Sequence, residues 1–237
     1  MEPTATTTGR SGARSCVSLT FDREMSTAEV EGLKRSLGAR TALQVPAPVG
    51  AGYARARQIG FRKSCRPEVG ALMSVLAAAV PTGGRILELG TGVGVGLAWI
   101  VHGLRSRADV DVVSVEIDPR KSALASGAGW PDRVTLVVGD AKEVVPSLGE
   151  FDLIFLDVPG QLKAALLDGA ITALRPGGQL LMDDMNPYWG KGRTRLPLDG
   201  DEPGRVLEDS RVTCALLQYA SGMILAARLP DEEPSGN

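Results

Sequence analysis

The sequence predicts an α/β domain, doubly wound, with a mostly parallel seven-stranded sheet that ends in a C-terminal antiparallel hairpin. Three observations carry this. Helix and strand signals alternate from Arg66 to about Asp184. The strands are short and almost continuously apolar, as strands covered by helices on both faces are. A glycine-rich turn joins the first strand directly to the next helix.

The elements follow in order. Ser26 as N-cap, Glu29 three residues on, Val30, Leu33 and Leu37 at helical spacing and Gly38 as a stop predict one short helix. "VPAPVGAGYARARQIG", residues 45–60, is broken by Pro and Gly and reads as a connecting loop. "PEVGALMSVLAAAV" is a helix with Pro67 in its first turn, where a missing N–H costs nothing. "RILEL" is the first strand and "GLAWIVHGL" the helix after the glycine turn. "VDVVSVEI", "RVTLVVG", "FDLIFLD" and "GQLLMDD" are further strands, separated by the helices "PRKSALASG", "AKEVVPSL" and "QLKAALLDGAITAL". "RVTCALLQYA", Ser221-Gly222 and "MILAARL" read as two strands joined by a tight turn.

Composition narrows the function classes. With 26 basic and 28 acidic residues the net charge is −2 and no broad basic field exists for nucleic acid or an anionic membrane. Cys16, Cys65 and Cys214 are far apart and odd in number, which suggests neither a disulfide framework nor a thiolate metal site. The opening "MEPTATTTGRSGARS" has no apolar core, and no run of about eighteen apolar residues follows. A cytoplasmic, soluble chain is expected. His102 is the single histidine, so a histidine-driven hydrolase triad is excluded.

"ELGTGVGVG", residues 88–96, ends the first strand, and in a doubly wound sheet ligands bind at carboxyl ends of strands where strand order reverses. Absent side chains let the backbone approach a ligand. The G-x-G-x-x-G spacing of dinucleotide sites fails, because Val95 or Leu97 falls where the third glycine belongs. Glu88 would also face a pyrophosphate unfavourably. A cationic or zwitterionic ligand suits that acid better, since an acid in an apolar strand is costly without a partner.

At these residues the chain resembles the class I S-adenosylmethionine-dependent methyltransferases, whose first motif, E-x-G-x-G-x-G, matches "ILELGTGVGVG". The resemblance implies a Rossmann-like fold and S-adenosylmethionine as cofactor, with Glu88, Gly90, Thr91, Gly92 and Gly94 around its methionine part. Glu116, with Ile117 beside it, falls where the family places the acid that takes both ribose hydroxyls. Asp140 and Ala141 fall where the adenine is held. The implied organisation is a disordered lead-in over 1–20, a helix and connecting loop over 21–64, the methyltransferase domain over 65–230 and a flexible tail over 231–237.

The segment "FRKSCRPEVGALMSVLAAAV" further resembles the small O-methyltransferases of the catechol and caffeoyl-coenzyme A type, and Ser64 and Glu68 match residues lying over the cofactor there. In that branch two aspartates and an Asn hold a divalent metal such as magnesium. Asp157 and Asp184 match the aspartates, but Met185 stands where the Asn belongs, a soft thioether and a poor magnesium ligand. Gly160 stands where the branch often has a lysine base, with Lys163 one helical turn later. A weak or absent metal site is therefore expected. Asp157, at a strand end beside the donor, and Lys163 are the catalytic candidates, while Tyr188 and Trp189 offer an aromatic wall for the acceptor. The implied partners are a small-molecule acceptor and at most a second copy of the chain in a homodimer. N-methylation, an aminopropyltransferase-like activity and a non-catalytic cofactor-binding role are the alternatives.

Overall fold

The computed structural model describes residues 44–185 and 202–231. The predicted lead-in, the helix predicted from Ser26 and all but the first residue of the tail lie outside the described residues, as do Tyr188 and Trp189. In chain order the elements are α1 (Ala47–Gln58), α2 (Pro67–Ala79), β1 (Arg85–Leu89), α3 (Val95–Gly103), β2 (Asp111–Glu116), α4 (Pro119–Ser126), β3 (Val134–Val138), α5 (Ala141–Val144), β4 (Phe151–Leu156), α6 (Gly160–Thr172), β5 (Leu174–Met182), α7 (Glu202–Glu208), β6 (Val212–Leu217) and β7 (Met223–Arg228). A single 3-10 turn, Val145–Ser147, extends α5.

The strands form one sheet of order β3-β2-β1-β4-β5-β7-β6. β1 pairs in parallel with β2 and β4, β2 with β3 and β4 with β5, whereas β7 runs antiparallel between β5 and β6. The chain winds outward from β1 to β3 and then crosses back to β4 on the other side of β1. The crevice between the carboxyl ends of β1 and β4 is thus the switch point of the sheet.

Period-two alternation sorts the strand side chains onto two cores. Ile86, Val112, Leu153, Phe155 and Leu181 pack with α1, α2 and α3 on one face. Leu87, Leu89, Val113, Val115, Ile154, Leu156, Leu180 and Met182 pack with α6 and Val206 of α7 on the other.

Three expectations are corrected. Residues 47–58 are helix α1, not a loop. Pro48 falls in the first turn, and Val49, Gly52 and Ala56 form a buried stripe against α3, so tertiary packing overrides weak local propensity. Helix α7 lies between the fifth strand and the hairpin, where no helix is expected from sequence. The hairpin turn is longer than Ser221-Gly222: β6 stops at Leu217, and the turn from Tyr219 to Gly222 closes by a Gly222 N–H to Tyr219 carbonyl bond of 2.9 Å.

Candidate functional site

The glycine loop leaves β1 and is fastened by backbone bonds to the neighbouring strand: Gly90 and Thr91 N–H both donate to the Val115 carbonyl, at 2.9 and 3.2 Å. Gly92 has φ +54°, a conformation that L side chains rarely adopt, and a Cβ there would come 3.1 Å from Phe61 Cε1. Its N–H donates to Glu116 Oε2 at 2.7 Å. The other oxygen of Glu116 accepts from Asp118 N–H at 2.9 Å and lies 3.9 Å from Lys121 Nζ. A buried acid at the end of β2 thereby ties the first and second βα turns together.

Glu88 lies on the same face of β1 as Ile86, under α3, and is 1% exposed. It fits because residue 96 is glycine: a Cβ there would stand 2.2 Å from Glu88 Oε1. Ser114 Oγ on β2 donates to its Oε2, and Ser114 in turn shares a hydrogen bond with Thr91 Oγ1 of the loop. Burial pushes the Glu88 carboxyl up to about 8, against the smaller opposing effect of the Ser114 bond. The acid is therefore largely protonated at neutral pH.

Around this loop the other expected cofactor residues take distinct places. Ser64, between α1 and α2, has a buried hydroxyl with no hydrogen-bond partner. Glu68 lies in the first turn of α2 and is half-buried. Ile117, 60% exposed, and Val138, 54% exposed, leave apolar side chains in solvent at the ends of β2 and β3. Asp140 caps α5, its Oδ1 accepting from Lys142 N–H at 2.9 Å, and Ala141 opens that helix. An orphan hydroxyl, a glycine cradle and an apolar rim fit S-adenosylmethionine.

Across the crevice, Asp157 extends the ladder beyond β4, its N–H donating to the Leu89 carbonyl at 3.0 Å. A Cβ on Gly90 would lie 2.2 Å from the Asp157 carbonyl oxygen, so the loop and this acid touch. Asp183 continues the same ladder from β5 to the Leu156 carbonyl, is 2% exposed, and accepts from Ser221 Oγ and, at 2.6 Å, from Asp184 N–H. Burial and mutual repulsion push Asp157 well above the usual carboxylate range, and Lys163 pulls it back. Asp183 is raised mainly by burial.

Asp183 is buried, whereas Asp184, the residue matched to the second metal-binding aspartate, is exposed with φ +53°. Met185 is 1% exposed and packs in the core beside α6 and Val206, with its N–H on the Gly222 carbonyl at 2.9 Å. Among the described residues no three acid, histidine or cysteine side chains are grouped to hold a metal ion. Among the described residues, Asp184 in solvent and Met185 in the core leave the expected ligand set incomplete. Lys163, the other catalytic candidate, is buried on the first turn of α6.

Sequence reasoning missed Ser221, Ser114, Phe61 and Lys121. Ser114 was readable only as a polar residue inside an apolar strand.

A family model described as a methyltransferase domain matches residues 87–185. The protein named "Putative O-methyltransferase" in Mycobacteroides abscessus is 32% identical over 176 residues, spanning 68% of this chain and 80% of that one. Its namesake in Mycolicibacterium smegmatis is 31% identical over 205 residues, spanning 80% and 94%. The SAH-bound methyltransferase PaMTH1 of Podospora anserina has the same fold at a TM-score of 0.72 and 22% identity, covering 90% of this chain and 100% of that one. The SAM-bound O-methyltransferase TomG of Streptomyces achromogenes matches at 0.67 and 19%, covering 87% and 100%. Glycine loop, buried acids and relatives agree: the chain belongs to the class I S-adenosylmethionine-dependent O-methyltransferases.

Proposed function

We propose that the crevice between β1 and β4 methylates a hydroxyl of a small-molecule acceptor, with the cofactor on the β1–β2 side and the acceptor on the β4–β5 side. The observation that carries this is the Gly92 to Glu116 bond, which ties the glycine loop to the acid at the end of β2; the orphan hydroxyl of Ser64 supports it. When bound, S-adenosylmethionine supplies a methyl group on a sulfonium, which leaves as a neutral thioether once the acceptor oxygen has taken the methyl.

The chain's own residues have simpler tasks. Glu116 accepts from the ribose hydroxyls, Ile117 and Ala141 flank the adenine with Asp140 at its edge, and Gly90, Thr91, Gly92 and Gly94 give backbone room to the methionine part. Ser64 and Glu68 close over it. Protonated, Glu88 supports the loop through Ser114 without placing a full negative charge in the core. Asp157 takes the acceptor's proton; a carboxylate with a raised proton affinity is a better base than an ordinary one. Holding oxygen and methyl at near-attack distance supplies roughly 7–11 kcal/mol.

Calorimetry with S-adenosylmethionine, followed by incubation of labelled cofactor with phenols, hydroxy acids and amines, tests the reading. Label in a phenol or hydroxy acid is expected. Label only in amines, or no cofactor binding, overturns it. No helix among the described residues is long and apolar enough to cross a membrane. A cytoplasmic location and a homodimer complete the proposal; fractionation of expressing cells and light scattering on the eluting protein test these in turn.

A further inference from the structure

Helix α1 ends in a glycine turn that delivers an aromatic ring to the glycine loop. Gly60 has φ +67° and donates its N–H to the Arg57 carbonyl at 3.1 Å, while Phe61 N–H donates to the Ala56 carbonyl at 2.9 Å. With its backbone closed in this way, the half-buried Phe61 ring lies against Gly92: Cε1 and Cζ would stand 3.1 and 3.3 Å from a Cβ there. Gly92 N–H in turn donates to Glu116 Oε2. From the first turn of α4, Lys121 holds its Nζ 5.6 Å from the centre of the Phe61 ring, within the range of a cation–π contact. The same ammonium lies 3.9 Å from Glu116 Oε1 and 3.6 Å from Asp118 Oδ2. Gly92, Phe61, Lys121 and Glu116 thus form a closed circuit of contacts.

The circuit surrounds the point where the two halves of the cofactor join. In S-adenosylmethionine the sulfonium is the atom that links ribose to the methionine chain. With Glu116 on the ribose and the glycine loop on the methionine part, that link falls beside the Gly92 to Glu116 bond, where Phe61 lies. We propose that the Phe61 ring recognises the sulfonium of the donor, and that Lys121 is the positioning residue that fixes the ring. A ring has two faces, and Lys121 takes one of them. Glu116 and Asp118 offset the charge of that ammonium, so it does little to repel a second cation. An aromatic face attracts a cation and has no such attraction for the neutral thioether left after transfer. The ring therefore favours donor over product, and its hold lapses once the methyl group has gone. This inference rests on the methyltransferase reading above and adds no covalent step to it.

The measurement is the ratio of the dissociation constants of S-adenosylhomocysteine and S-adenosylmethionine, by calorimetry on the full chain. Fluorinated phenylalanines incorporated at position 61 keep the shape of the ring and withdraw charge from its faces. The ratio is expected to fall stepwise with each added fluorine, while affinity for S-adenosylhomocysteine stays constant across the series. Phe61→Leu, which keeps an apolar side chain without a ring, is expected to lower the ratio roughly 3- to 30-fold, the range for a cation on an aromatic face. Lys121→Met is expected to lower it by a smaller factor, and Lys121→Arg, which keeps a cation for the ring, to restore it. A ratio that ignores fluorination, or equal losses for both ligands, overturns the proposal, since packing alone would produce either. A ratio that rises in Lys121→Met means that the ammonium competes with the sulfonium, and overturns the positioning role. The fluorinated chains decide the matter even where Phe61→Leu fails to fold. Wild-type protein that binds neither ligand overturns the methyltransferase reading and this inference with it; wild-type protein that binds both, with a ratio insensitive to fluorine, overturns this inference alone.

Discussion

The Glu116 carboxylate accepts from the Gly92 and Asp118 N–H groups and still has lone pairs to offer a ligand. Glu116→Ala removes a charged acceptor and leaves the Gly92 N–H without a partner. Cofactor affinity is expected to fall by about 1.5–3 kcal/mol, the range for hydrogen bonds to a charged group, with a lower melting temperature as well. Unchanged calorimetric affinity in a folded variant would remove Glu116 from the ribose site. Asp140 poses the reverse problem, since capping α5 is already a sufficient structural reason for it. Asp140→Asn keeps a good N-cap and is expected to leave stability unchanged, whereas Asp140→Ala costs about 1 kcal/mol. Weaker cofactor binding in the Asn variant then reports contact with the ligand; equal affinity assigns Asp140 to the cap alone.

Between residues and fold, the glycine loop is the element on which the proposed cofactor binding depends. Gly92→Val places a branched side chain at a positive φ and against Phe61, while the Gly92 N–H must still reach Glu116. Cofactor binding is expected to fall beyond calorimetric detection; a folded variant that binds normally means the loop does not cradle the cofactor. This loop was legible in the sequence because its information is local: four glycines on alternate positions after an apolar strand. The parallel strands were legible for the same reason. Helix α1 was not, since Pro46, Pro48, Gly50 and Gly52 argue against it locally and only its stripe against α3 holds it together. The inward turn of Asp183 was equally hidden: it depends on Ser221, 38 residues away, and on a positive φ at Asp184 that breaks the strand pattern. Residues at strand ends are placed by the loops that receive them, and alternation alone predicts only that neighbours diverge.

At the scale of the molecule, three acids, Glu88, Asp157 and Asp183, all have proton affinities raised by desolvation, which gives stability a definite dependence on pH. An acid whose folded pKa lies above its unfolded value keeps its proton longer in the native state, so stability is highest below the unfolded pKa and is lost as pH rises through the folded one. For Glu88 the window runs from 4.5 to about 8. Within it stability is expected to fall by up to about 1.4 kcal/mol per pH unit from this group alone, with Asp157 and Asp183 adding in the same direction. The exposed Asp109, held low by Arg107, acts in the opposite sense but only in stronger acid, outside this window. Glu88→Gln fixes the neutral form and preserves the size of the group facing Ser114 and Gly96. Denaturant titrations of both proteins at pH 5, 7 and 9 are expected to coincide at pH 5 and to diverge above it, with the variant the more stable at pH 9. Parallel curves at all three values would mean that Glu88 is ionised in the folded protein, and the loop would then rest on a buried charge that accepts from Ser114 Oγ.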